Sequence, residues 1–241
     1  MGYNGLVMGA FEEAFEGERR LAFTPEEYKA RVAKVRGMMK DAGIDMLWIT
    51  TPEHVCWLHG FYASWYKANS PMRYPQCYGT AIHVDHDKLL HFDNPTEMPL
   101  LAALSVCEDL YFFNSRDAAD NIPFIMKELR ARGWLNGTVG LEKWSYLPNP
   151  SISTMFEGAM LMCGASVVDG SKILRRARTV KSLAEIEKIE IATSYVDVGW
   201  ETIRRELRPG MTELDLFGLT TAAMMKAGSE FPALRNLCIT L

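Results

Sequence analysis

Basic residues are outnumbered in this chain: 26 lysines and arginines against 30 aspartates and glutamates give a net charge of −4 over 241 residues. A phosphate-backbone binder needs the opposite excess, so nucleic acid is excluded as the expected partner. Long apolar runs are missing too. Stretches such as Met46 to Thr51 fall far short of the roughly 20 residues that cross a bilayer, and no membrane span is expected. The opening MGYNGLVMGAFEEAFEGERR carries Glu12, Glu13 and Glu16 where a secretory leader has a basic start and a long apolar stretch, so a cytoplasmic location is expected. Cysteine is sparse: Cys56, Cys77, Cys107, Cys163 and Cys238 are odd in number, widely spaced and form no CxxC pair. They read as reduced core thiols, not as a disulfide framework or a zinc knuckle. GxSxG, GxGxxG, GxxxxGK[ST] and HExxH are all absent, which removes the usual signals for a nucleophile elbow, nucleotide binding and a zinc protease.

What is present is a globular composition, 48% hydrophobic and 23% charged, enough for one or two modest domains with a real core. Thr24-Pro25-Glu26-Glu27 signals a helix start. Tyr28, Val32, Val35, Met39 and Ala42 then recur at alternating spacings of four and three before the stop at Gly43, so one amphipathic helix is expected. Asp45 to Thr50 reads as a strand, and Thr51-Pro52-Glu53 as the cap of a short helix ending near Gly60. Cys77 to Val84 and Lys88 to Phe92 read as an antiparallel hairpin about Asp85-His86-Asp87. Helix Thr96 to Leu104, strand Asp109 to Phe113, helix Ala118 to Arg132, strand Thr138 to Leu141, a helix opened by Pro148-Asn149-Pro150-Ser151 and strand Ser166 to Val168 follow. This alternation implies an α/β fold, a mixed, largely parallel sheet covered by helices. Basic Arg175, Arg176 and Arg178 precede a helix from about Ser182 to Leu207, broken by Arg208-Pro209-Gly210, and a second capped at Thr212. The expected organisation is an arm, 1–21, a first domain, 22–177, and the start of a second, 178–241. The uncapped apolar ending FPALRNLCITL reads as a strand cut short.

All five histidines, His54, His59, His83, His86 and His91, fall in one 38-residue window. His54 and His59 are five apart, off a common helix face, and His83 and His91 lie on opposite hairpin arms. Hairpin and turn histidines, solvent-facing or locally satisfied, are the expectation, with structural zinc as the alternative. Gly60 to Tyr66, continuing to Arg73-Tyr74, gathers aromatics and an arginine. It reads either as a rigid ligand wall with Arg73 gripping a carboxylate, or as ordinary core or interface aromatics. Acidic residues after Glu185 sit at helical spacing among Lys and Arg, as solvated faces and caps.

Lys181-Ser182-Leu183-Ala184-Glu185-Ile186 followed by Pro209-Gly210-Met211-Thr212-Glu213 and a later Ala227-Gly228 resembles the opening of the catalytic domain in pita-bread hydrolases, the family of creatinase, prolidase, aminopeptidase P and ectoine hydrolase. FTPEEYKARVAKVRGMMKDAGIDMLWITTPEHVCWLHGF is similar to the creatinase-type N-terminal domain. His54-Val55 stands where relatives have Asn-Ile, and the loop from Tyr66 to Gln76 is long. The resemblance implies hydrolysis of an amide or other C–N bond in a small molecule or dipeptide, by two divalent ions (Mn, Zn or Co) held by two Asp, one His and two Glu. Creatinase-like members use a catalytic histidine without metal. It places all those residues beyond Leu241, so no catalytic, metal or cofactor residue is expected within this chain. It further implies a homodimer in which the N-terminal domain reaches over the partner's active site, with Trp65, Tyr66 and Arg73 as the substrate-binding residues in trans. The alternative is a non-catalytic dimerisation or ligand-binding module.

Overall fold

The computed structural model describes residues 19–62, 77–113, 115 and 117–230. They fall into two compact units, divided between Val180 and Lys181. In the first, helix α1 (Pro25–Asp41) begins where Thr24 Oγ1 accepts from the Glu27 amide at 3.3 Å, and buries Tyr28, Val32, Val35 and Met39. The period-3.6 stripe of the sequence is therefore the buried face. Strands β1 (Met46–Ile49), β2 (Gly79–His83), β3 (Leu89–Asp93), β4 (Asp109–Phe112), β5 (Thr138–Leu141) and β6 (Ser166–Asp169) make one six-stranded sheet in the order β4-β3-β2-β1-β5-β6. The pairs β1–β2 and β2–β3 are antiparallel; β1–β5, β3–β4 and β5–β6 are parallel. The sheet is mixed because the hairpin of β2 and β3 interrupts parallel crossovers.

Helices cover both faces. On one, α1, α2 (Pro52–His59), α3 (Met98–Leu104) and α6 (Ser171–Ala177) pack Val35, Met39, Val55, Leu58, Leu101 and Leu174 against Leu47, Ile49 and Ile82. On the other, α4 (Ala118–Ala131) and α5 (Pro150–Met162) pack Ile122, Ile125, Leu129, Phe156 and Met160 against Met46, Trp48, Ala81 and Phe92. All four β1 side chains are buried, so Met46 and Trp48 serve one core and Leu47 and Ile49 the other. This is the signature of a strand with no solvent face. The expected helix from Thr96 is a 3-10 turn, Pro95–Glu97, followed by α3, since Pro99 in the first turn of α3 suits a helix start.

Gly60 ends α2 in the left-handed region, with φ of 93°, and a Cβ there would sit 2.3 Å from the Leu104 carbonyl oxygen. Gly60→Ala therefore combines an unfavourable φ with a backbone clash. We expect a loss of about 2–3 kcal/mol in a urea titration. No change in midpoint would show that the α2 terminus is not pinned as described.

In the second unit, α7 (Leu183–Glu206) and α8 (Glu213–Lys226) each start with a reciprocal cap, Ser182 with Glu185 and Thr212 with Asp215. Gly199 of α7 lets Met224 and Thr220 of α8 approach closely. Ile186, Ile189, Val196 and Trp200 remain exposed along α7. No described helix is long and apolar enough to cross a membrane.

Candidate functional site

Two adjacent parallel strands, β1 and β5, end where polar groups crowd together. Glu142 follows β5 directly and is buried; its Oε2 accepts from the amides of Thr50 and Thr51, both at 2.8 Å. Its Oε1 shares a hydrogen bond with His54 Nδ1. Thr50 donates its hydroxyl to the Leu147 carbonyl at 2.8 Å, and Tyr146 donates its hydroxyl to Glu53 Oε1 at 2.7 Å. Thr51 occupies the cap position of α2 as the sequence suggested, yet its side chain makes no capping bond, and its amide is bound to Glu142 instead. A carboxylate from another strand thus ties down the start of α2.

A second buried chain of groups runs alongside. Ser105 Oγ and His59 Nδ1 are 2.8 Å apart, His59 Nε2 and Thr80 Oγ1 2.9 Å, and Thr80 Oγ1 and His91 Nδ1 2.8 Å. His91 Nε2 lies 3.4 Å from Asp93 Oδ2. Burial lowers both imidazoles, His91 to about 3 and His59 well below its usual range, where His91 adds to the effect. Burial pushes the Asp93 carboxyl up to about 8, so near neutral pH the His91–Asp93 pair is uncharged, with the acid holding the proton. Glu97, half-buried, is raised to about 7 by burial and then by Asp93. Burial, then the charges of Asp93, Glu142 and Glu53, hold the Tyr78 phenol well above the usual range. Phe61 and Tyr78 pack edge-on to His91, with ring centroids at 5.2 and 5.7 Å.

Trp65, Tyr66 and Arg73 lie outside the described residues. The residues flanking that segment are described: Phe61, Cys77 and Tyr78 are buried and Tyr62 is 40% exposed. The histidines correct the expectation of local or solvent satisfaction. His54, His59 and His91 are buried, and His54 and His59 find partners 88, 46 and 21 residues away. Only His83, which ends β2, and His86 in the following turn fit that expectation, their rings tilted against Trp134. Glu142 went unnoticed in the sequence; its signal is a carboxylate immediately after a buried strand in a parallel pair, the place where open α/β sheets gather polar groups. Cys77 and Cys107 are buried thiols, each pushed up to about 12 chiefly by burial. Among the described residues no three His, Cys, Asp or Glu side chains converge as a metal-binding set.

Residues 31–180 match the creatinase/prolidase N-terminal domain. The chain belongs to that family. Ectoine hydrolase of Halomonas elongata is 25% identical over 251 aligned positions, which take in 89% of this chain and 55% of that protein. Among solved structures, an X-Pro aminopeptidase from Thermotoga maritima superposes with a TM-score of 0.64 at 19% identity, covering 83% of this chain and 50% of that one. Xaa-Pro dipeptidase from Bacillus anthracis gives 0.63 at 16% identity with the same coverages, and prolidase from Pyrococcus furiosus 0.59 at 20%, covering 83% and 54%. The chain spans about half the length of these relatives. The six-stranded sheet and its helices are the fold of the creatinase/prolidase N-terminal domain.

Proposed function

We propose that this chain is the N-terminal part of a homodimeric cytoplasmic pita-bread hydrolase that cleaves a C–N bond in a small substrate of ectoine type, with Xaa-Pro dipeptides as the second class. The family match over residues 31–180 carries this reading, and the similarity to an ectoine hydrolase along 89% of the chain orders the substrate classes. In it, 178–241 begins the catalytic domain, and the metal donors or catalytic histidine belong to the longer protein. The described residues do not form a dinuclear donor set, and no chemical step is assigned to them. Their part is to hold the segment from Ala63 to Gln76 at its two ends, where Phe61 and Tyr78 pack on His91. Trp65 and Tyr66 then supply an aromatic wall and Arg73 a bidentate grip on a substrate carboxylate in the partner's active site.

The test is Arg73→Ala in the longer protein, assayed on ectoine and Xaa-Pro substrates with metal content measured in parallel. We expect KM to rise about tenfold with kcat and metal content little changed, the pattern for a lost binding contact. Unchanged KM on every substrate turned over by the unaltered protein would remove Arg73 from the site.

A further inference from the structure

A groove of about 550 Å³ runs between α4 and α5 on the outer surface of the first unit. Ala131 on α4 and Ala159 on α5 are too short to fill the space between the helices, and Met126 and Met162 contribute apolar lining. Met162 is 85% exposed, an unusual position for an apolar side chain beside an open apolar trough. Lys127 and Arg130, one helical turn apart, are the charged residues of the groove, and no carboxylate lines it. The charged pairs nearby are satisfied among themselves, Arg132 with Glu128 and Lys143 with Glu157, whereas neither Lys127 nor Arg130 is in an ion pair among the described residues. In a chain whose net charge is −4, a trough lined by two cations and no anion is a local reversal of sign.

We propose that the α4–α5 groove docks an acidic amphipathic helix of a partner protein. An apolar ridge at i, i+3, i+4 and i+7 fits a trough between two helices, and methionines adapt their shape to it. Carboxylates one turn apart on the docked helix meet Lys127 and Arg130 along the rim, where complementary charge sets choice of partner and rate of encounter.

The experiment titrates the full chain into a fluorescein-labelled peptide of about 16 residues, four helical turns, with leucine at i, i+3, i+4 and i+7 and glutamate on the opposite face. A second peptide carries lysine in place of each glutamate. Saturable binding of the glutamate peptide is expected, weakened about tenfold or more by K127E/R130E and by added salt, with the lysine peptide regaining affinity for K127E/R130E. Ala159→Trp, which fills the trough, abolishes binding. Lys127 and Arg130 are exposed, so circular dichroism of the charge variant stays unchanged. Equal affinity of wild type and K127E/R130E, or no saturation, overturns the proposal. A concentration-dependent dimer lost in Ala159→Trp also overturns it, by assigning the groove to a second copy of this chain.

Discussion

Glu142→Ala is expected to destabilise the first unit by about 3–5 kcal/mol, a large share of the stability of an ordinary domain. The alanine leaves two buried backbone amides, those of Thr50 and Thr51, and the His54 imidazole without their shared acceptor. Each orphaned buried donor costs roughly 1–3 kcal/mol, and the site is nearly closed to solvent, Glu142 being 3% exposed. Glu142→Gln separates charge from hydrogen bonding. Its amide oxygen can still accept from the two amides, and its NH₂ can donate to His54 Nδ1 if the imidazole moves its proton to Nε2, so about half the loss is expected. His54→Asn, which installs the residue that the family resemblance places there, keeps a donor to Glu142 and should cost about 1 kcal/mol. Urea titrations of the three variants, followed by far-ultraviolet circular dichroism, check this order. Equal stability of Glu142→Ala and wild type would show that the strand-end cluster does not hold α2 to β5.

Asp93→Asn is expected to stabilise the chain at pH 8 while making it more sensitive to acid. The Asp93 carboxyl is raised from 3.8 to about 8, so its contribution is fully present below pH 3.8 and is lost as pH rises toward 8. His91 is lowered from 6.5 to about 3 and His59 moves the same way, so their contributions are present above pH 6.5 and are lost as pH falls. Between pH 4 and 6.5 the acid and the imidazoles oppose one another. Above 6.5 only the carboxyls titrate, and wild type should lose about 2 kcal/mol between pH 6.5 and 8, at roughly 1.4 kcal/mol per pH unit for Asp93. The asparagine side chain would keep both contacts, accepting from the Asn94 amide and donating toward His91 Nε2, without an ionisation to suppress. The variant should therefore keep only the smaller decline that Glu97 contributes between pH 6.5 and 8, and should fall more steeply than wild type from 6.5 to 4. Unfolding free energies measured across pH 4–9 test both limbs. Parallel profiles for the two proteins would mean that Asp93 titrates normally.

Much of this architecture is legible in the sequence because each helix that packs on one side keeps a single apolar stripe. Tyr28, Val32, Val35 and Met39 announce α1, and the β-branched and aromatic arms about Asp85-His86-Asp87 announce the β2–β3 hairpin. The polar interior is another matter. Helix α2 has eight residues and buries six of them, so it has no solvent face against which His54 and His59 could be read. Their partners, Glu142, Ser105 and Thr80, are brought in by strands and loops distant in sequence, and no local period encodes those distances. Thr51 shows the same limit on a smaller scale: its position is that of a cap, but the bond is made by a carboxylate 91 residues away. Chemistry was visible only through resemblance. The motifs around Lys181 and Pro209 and the Gly43-Ile44-Asp45 lead into β1 carry the resemblance, whereas composition and spacing alone stop at an α/β domain.

On the function proposed above, this chain supports an active site whose reacting groups lie outside residues 1–241. The most direct test is hydrolysis of ectoine, creatine and Xaa-Pro dipeptides by purified 1–241 and by the longer protein, side by side. Product is expected from the longer protein and none above buffer from 1–241, even with added Mn, Zn or Co. Turnover by 1–241 alone, reduced by substitutions at His54 or Glu142, would contradict that expectation and would make the strand-end cluster itself the seat of catalysis.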